Sequence, residues 1–131
     1  MTTSKVPPPI DSANAEQAQR DAKQRAMENA ALVQLFGIIR PHLFPLGRVV
    51  ATPGAIALIE RTHTDATQLL NLHGSGQWGV VSDHDIDANE YALQVGARLM
   101  SVYELGEEKT PLWIITEADR SVTTLLLPQE Y

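Results

Sequence analysis

From Gly96 onward the chain reads as extended segments joined by very short links: "RLMSVYEL", a turn in "GEEKT", "PLWIITEA", a tight turn, and "SVTTLLLP". Val, Ile, Thr, Tyr and Trp crowd these runs, and such residues favour the pleated, half-buried setting of a strand. Consecutive strands with connections this short pair as antiparallel neighbours. An antiparallel β-meander of at least three strands, over 98–105, 112–117 and 121–127, is therefore expected. A sheet of this kind buries at least one face, so the residues before Gly96 must supply what covers it.

Those residues carry helix signals. Thr52 stands as an N-cap before Pro53, the first helical position, where proline is preferred because its missing N–H has no partner to lose. Thr64 is read as the cap of a second short helix, "DATQLLNLH", closed by Gly74, and Ser82 as the cap of a third from Asp83 to about Val95, closed by Gly96. "RVVA" is a plausible short strand ahead of them. The class expected is α+β: an N-terminal helical extension, short helices, then the meander.

Residues 1–10 end in three prolines and read as a disordered lead. A helix is expected from Ala13 to about Ile39, with only alanine as apolar surface in its first half. Its second half presents Leu32, Leu35, Phe36 and Ile39, which must pack on the core or on a partner. "RPHLFPLG" is punctuated by proline and reads as a linker, dividing an extension (1–44) from a compact α+β domain (45–131).

Sixteen acidic against ten basic side chains give a net charge of −6, which disfavours broad binding to nucleic acid through phosphate neutralisation. Without cysteine there is no disulfide framework, thiolate metal site or thiol nucleophile, and a reducing cytoplasm suits such a chain. No run approaches a membrane span and the first residues lack a signal-peptide core, so a cytoplasmic protein is expected.

Each motif with chemical meaning in this chain also has a plainer structural reading. "LHGSGQWG" lacks the lysine of a phosphate loop and follows a helix, so it reads as a helix end with Trp78 plugging the core. Asp83, Asp85 and Asp87 alternate as in a calcium loop, but Ala88 and Gln94 occupy the positions that need glycine and glutamate. These carboxylates suit a first helical turn. His42, His63, His73 and His84 show no zinc-ligand spacing, and no cofactor or metal is expected. Ser101 and Ser121 lie on strand segments with no nucleophile elbow.

At "GRVVATPGAIALIE", "LLNLHGSGQWG" and "WIITEADRSVTTLLLPQEY" the chain resembles a family of small plasmid-related proteins carried by bacterial plasmids and integrative elements, some labelled as type I restriction subunits. The resemblance covers about residues 45–131 and implies a mobile-element context; it brings no catalytic residues. Three functions compete. The first is a non-enzymatic accessory protein that binds a host or element-encoded protein, or forms a homo-oligomer, through Leu32, Leu35, Phe36 and Ile39. The second is a metal-independent, toxin-like ribonuclease acting on RNA, with Glu117 or His73 as general base or acid, Arg98 and Arg120 on the phosphate, and Tyr103 or Thr124 orienting the 2′-hydroxyl. The third is a nucleic-acid-binding regulator. The ribonuclease reading requires Arg98, Glu117, Arg120 and His73 on one side of the sheet, with Glu117 paired to Arg120 or Arg98 and Asp119 exposed in the turn.

Overall fold

The computed structural model describes residues 12–36 and 42–131, with side chains of the first helix described over residues 15–28. Its elements in chain order are α1 (Ser12–Phe36), β1 (Arg48–Ala51), α2 (Pro53–Arg61), α3 (Ala66–Gly74), α4 (Asp83–Val95), β2 (Leu99–Leu105), β3 (Thr110–Thr116) and β4 (Val122–Leu126), followed by a 3-10 turn, Pro128–Glu130. The α+β class is confirmed and the meander β2–β3–β4 is antiparallel as expected. The purely antiparallel sheet is not: β1 adds to β4 in parallel, giving a four-stranded mixed sheet in the order β1-β4-β3-β2. Helices also stand between β1 and the meander, so they are not confined to an N-terminal extension.

Capping chemistry sets most helix boundaries. Thr52 accepts from the Ala55 amide at the start of α2, and Ser82 from the Asp85 amide at the start of α4. The α3 cap is Asp65, whose carboxylate accepts from the Thr67 amide; Thr64, the residue expected there, shares a hydroxyl contact with Thr62 instead. Gly96 closes α4 in the left-handed conformation, where a side chain would be strained.

Strand register divides the sheet into two faces. Leu99, Ser101, Tyr103 and Leu105 of β2 lie opposite Thr116, Ile114, Leu112 and Thr110 of β3, and Ile114 and Thr116 lie opposite Leu125 and Thr123 of β4. This face is buried under the helices. One cluster, built on Leu58, Leu69, Leu112, Ile114 and Leu125, lies beneath α2 and α3, and a second joins Phe44, Trp78, Ala92 and Leu99 beside α4. Trp78 thus plugs the core as the sequence suggested. Phe44 does so too, and the Leu43 amide donates to the Gly74 carbonyl, so the described part of the "linker" is packed against the domain.

Both ends of the β1–β4 pairing depend on close backbone approach. Gly47 (φ +67°) lies so near the β3–β4 turn that a Cβ would come within 2.4 Å of the Arg120 and Ser121 carbonyl oxygens. That contact lets the Arg48 amide reach the Ser121 carbonyl and start the ladder. At the far end the Glu130 carboxylate accepts from Thr52 Oγ1 and from the Gly54 and Leu127 amides, tying the last turn to the start of α2. These donors hold the Glu130 carboxyl below its ordinary range, the Thr52 hydroxyl contributing most.

The outer edge of β2 is closed as well. Trp78 and Val80 exchange backbone hydrogen bonds with Val102, and the Asn89 side chain takes both backbone groups of Met100, acting as a one-residue substitute for a strand. No helix among the described residues is long and apolar enough to cross a membrane.

Leu112, fully buried at the centre of the first cluster, is expected to be the costliest single truncation in the sheet. Leu112→Ala should lose about 2–5 kcal/mol in chemical denaturation, a cavity cost that the flanking strands cannot recover by collapsing.

Candidate functional site

The residues proposed for ribonuclease chemistry fall in three places. His73 and Tyr103 are on the helix-covered face, and both are buried. Strand alternation puts Arg98, Glu117 and Thr124 on the opposite face, since Leu99, Thr116 and Thr123 next to them point to the helices. Arg120 occupies the turn between β3 and β4 and reaches back toward α4. The expected grouping of Arg98, Glu117, Arg120 and His73 on one side of the sheet is therefore overturned. The period-2 pleat separates Glu117 from His73's face.

The expected Glu117 ion pairs are also absent among the described residues, where the salt bridges are Arg20–Glu16 and Arg25–Glu90. Glu117 serves through its backbone: its amide donates to Val122, and its carbonyl accepts from the Arg120 amide and from Arg120 Nη1. Arg120 sits at φ +62° and spends its guanidinium on main chain, donating to Ala97 O at 2.6 Å and to Ala92 O at 3.1 Å while lying over the Phe44 ring. It is a cation placed at the C-terminal end of α4, where the helix dipole favours it. Arg98 lies over the Tyr131 ring, which in turn packs on Trp113. Asp119 is an exposed turn residue as expected. Its carboxylate accepts from the Ser121 hydroxyl and amide, and the hydroxyl above all lowers its pKa.

The polar centre that does form was not foreseen. His73, with no solvent exposure, is held at both ring nitrogens: Nδ1 lies 2.6 Å from Ser101 Oγ and Nε2 lies 2.8 Å from Thr116 Oγ1. Thr116 Oγ1 is 2.7 Å from Thr123 Oγ1, and the Thr123 hydroxyl donates to the Leu46 carbonyl at 2.6 Å. This terminus orients every proton in the chain. A carbonyl only accepts, so Thr123 has used its single proton and must accept from Thr116; Thr116 must then accept from His73 Nε2–H; and in a ring that burial keeps neutral, Nδ1 accepts from Ser101. The imidazole is thus a neutral Nε2–H tautomer.

Burial agrees with this assignment. Removal from water, with smaller contributions from His42 and Arg120, lowers the His73 pKa to about 3. Phe44 and Trp78 meet the ring at 5.3 and 5.9 Å in edge arrangements and complete its enclosure.

A serine hydroxyl on a histidine nitrogen invites comparison with acyl-transfer sites. The chemistry differs at each point. Ser101 is fully buried, the second histidine nitrogen faces a hydroxyl where a carboxylate would stabilise imidazolium, and a base with pKa near 3 is too weak to activate serine at neutral pH. Tyr103 is similarly withdrawn: its hydroxyl donates to the Gln77 carbonyl at 2.6 Å, and burial raises its pKa. Among the described residues no group of three or more His, Asp or Glu side chains is arranged to hold a metal ion.

The sequence did contain a sign of this centre. Ser101, Thr116 and Thr123 are small hydroxyl residues on the inward, largely apolar strand faces, a pattern that calls for a common buried partner. Strand parity turns Thr123 inward to the His73 network and its neighbour Thr124 outward, so the hydroxyl expected to orient a substrate is not the one beside the imidazole. Of the binding residues expected on the N-terminal helix, Leu32, Leu35 and Phe36 lie in α1 with side chains outside the described set, and Ile39 is outside the described residues.

Two outcomes follow. Between pH 6.5 and about 3 the unfolded chain holds a proton on His73 that the folded chain does not, so acidification through this window destabilises the fold. Urea titrations should show a slope shallower by up to about 1.4 kcal/mol per pH unit in His73→Gln than in the parent chain. Arg120→Ala should cost about 1.5–3 kcal/mol through lost charge-assisted bonds, and Arg120→Lys should recover little, because an ammonium is a point donor on a shorter stem and lacks the planar fork that sets Nη1 on Ala97 and Nη2 on Ala92.

No protein-family model matches the chain, and no curated protein or solved structure matches it.

Proposed function

We propose that the protein is a non-enzymatic binding module that docks a protein partner, in keeping with an accessory role on a bacterial mobile element. The observation that carries this reading is the composition of the sheet face turned away from the helices. An antiparallel sheet with one wet face normally alternates apolar inward with polar outward. Here the outward positions are Met100, Val102 and Glu104 of β2, Pro111, Trp113 and Ile115 of β3, and Val122, Thr124 and Leu126 of β4. A single charge stands among nine residues.

Within the chain this face meets the short segment after β4, with Tyr131 against Trp113. Met100, Val102, Trp113, Val122 and Thr124 stay half-buried and Tyr131 is exposed, while Ile115 and Leu126 are already buried within the chain. A continuous apolar face rimmed by charge, with Arg98 and Glu117 at one end and Glu104 at the other, has the character of an interaction surface. Leu32, Leu35, Phe36 and Ile39 supply a second contact for the same partner or for another copy.

Catalysis has weaker support, since the groups proposed for RNA cleavage are divided between opposite sheet faces and His73 is enclosed. Val102→Lys should abolish co-purification of a specific protein from a host carrying the element while leaving the melting temperature within a few degrees, and Leu35→Glu should report separately on the helix contact. Incubation with total RNA in EDTA should leave the RNA intact. Cleavage that disappears in Glu117→Ala would replace the binding reading with the ribonuclease one; in its absence Glu117→Ala should change stability by no more than about 0.5 kcal/mol.

A further inference from the structure

On the helix side of the sheet, α1 lies across the domain and is anchored by Arg25, whose guanidinium pairs with the Glu90 carboxylate of α4. The same carboxylate accepts from Trp78 Nε1 at 3.0 Å. Within a turn of this anchor on either side, α1 turns alanines toward the domain. Ala22 and Ala26 face Trp78, Tyr103 and Ile86 across a cleft of about 420 Å³, within the range of small-molecule sites.

The walls of the cleft have little hydrogen-bonding capacity left. The Tyr103 hydroxyl is committed to the Gln77 carbonyl and the Trp78 indole N–H to Glu90. Gly79 (φ +80°) lets this wall lie directly against β2, since a Cβ there would strike the Val102 carbonyl oxygen and the Tyr103 ring. Such walls select an apolar, partly aromatic or chain-like body. Among the described residues one charged side chain lines the cleft, Lys23, which is exposed and forms no salt bridge with them, whereas Arg25 is neutralised by Glu90.

We infer that this cleft binds a small apolar molecule bearing a single anionic group, its body between Ala22, Ala26 and the Trp78–Tyr103 wall and its anion paired with Lys23. The inference is independent of the protein-docking reading, because the cleft and the open sheet face are on opposite sides of the molecule.

The chain has two tryptophans, Trp78 in the cleft wall and Trp113 on the other sheet face, so Trp113→Phe leaves one reporter at the site. In that background, decanoate should change Trp78 emission saturably, with calorimetry giving one molecule per chain, and decyltrimethylammonium should bind at least tenfold more weakly. Lys23→Glu should reverse the preference between the two head groups, and Ala26→Phe should remove decanoate binding by filling the cleft. Equal affinity for both head groups, a non-saturating response, or unchanged binding in a folded Ala26→Phe variant would overturn the inference. Lys23 is on the surface, so Lys23→Glu keeps the fold and decides the matter alone should Ala26→Phe fail to fold; a head-group preference it leaves unchanged is also an overturning result.

Discussion

One run of hydrogen bonds holds the parts of this fold in register. It begins at Ser101 on β2, passes through His73 on α3, crosses Thr116 on β3 and Thr123 on β4, and ends on the Leu46 carbonyl just ahead of β1. Each group is enclosed, so each must be satisfied within the protein, and a break at any point would leave a buried donor or acceptor without water to replace its partner. Hydrophobic burial would allow α3 to slide over Leu112 and Ile114 at modest cost, whereas the paired nitrogens of His73 permit one position. The polar chain therefore contributes more to uniqueness than to net stability, because its hydrogen bonds replace equivalent ones to water in the unfolded chain.

Arg120 does a related task at the sheet's end. Its left-handed backbone closes the β3–β4 turn, and its guanidinium donates to the Ala92 carbonyl, which also accepts the Gly96 and Ala97 amides, and to the Ala97 carbonyl just past the helix. Phe44 lies beneath it and His73 beyond Phe44, so the turn, the end of α4 and the segment before β1 meet at one point. The residues that looked most like chemistry in the hairpin are thus main-chain partners. Arg120 commits its guanidinium to carbonyls and Asp119 its carboxylate to Ser121, while Glu117 contributes its backbone amide and carbonyl.

Much of the architecture could be read from local signals. The meander follows from strand formers and short turns, and α2 and α4 from Thr52–Pro53 and from Ser82 with Gly96, because these features act within a few residues of one another. The cap of α3 was displaced by one residue because Thr64 and Asp65 are both competent acceptors, and only the local backbone decides between them. The parallel pairing of β1 with β4 left no local trace: four residues carry no periodicity that reveals a distant partner. The site was least legible for a similar reason. Strand parity sends Thr123 and Thr124 to opposite faces, and a one-residue choice of parity exchanges an interior group for an exterior one.

That long-range pairing also sets the order in which the fold can be completed as the chain is synthesised. Helices α2, α3 and α4 leave the ribosome well before the strand that β1 requires, and His73 emerges ahead of Ser101, Thr116 and Thr123 in turn. Until β4 is free of the exit tunnel, β1 has no ladder partner and the imidazole faces water as an ordinary titratable group. The nascent domain then exists as a set of amphipathic helices with an unfinished sheet, the state in which exposed apolar surface draws chaperones. Arrival of Thr123 supplies the last hydroxyl and the neighbour of β1 together, so closure of the sheet and sealing of the histidine are a single late event.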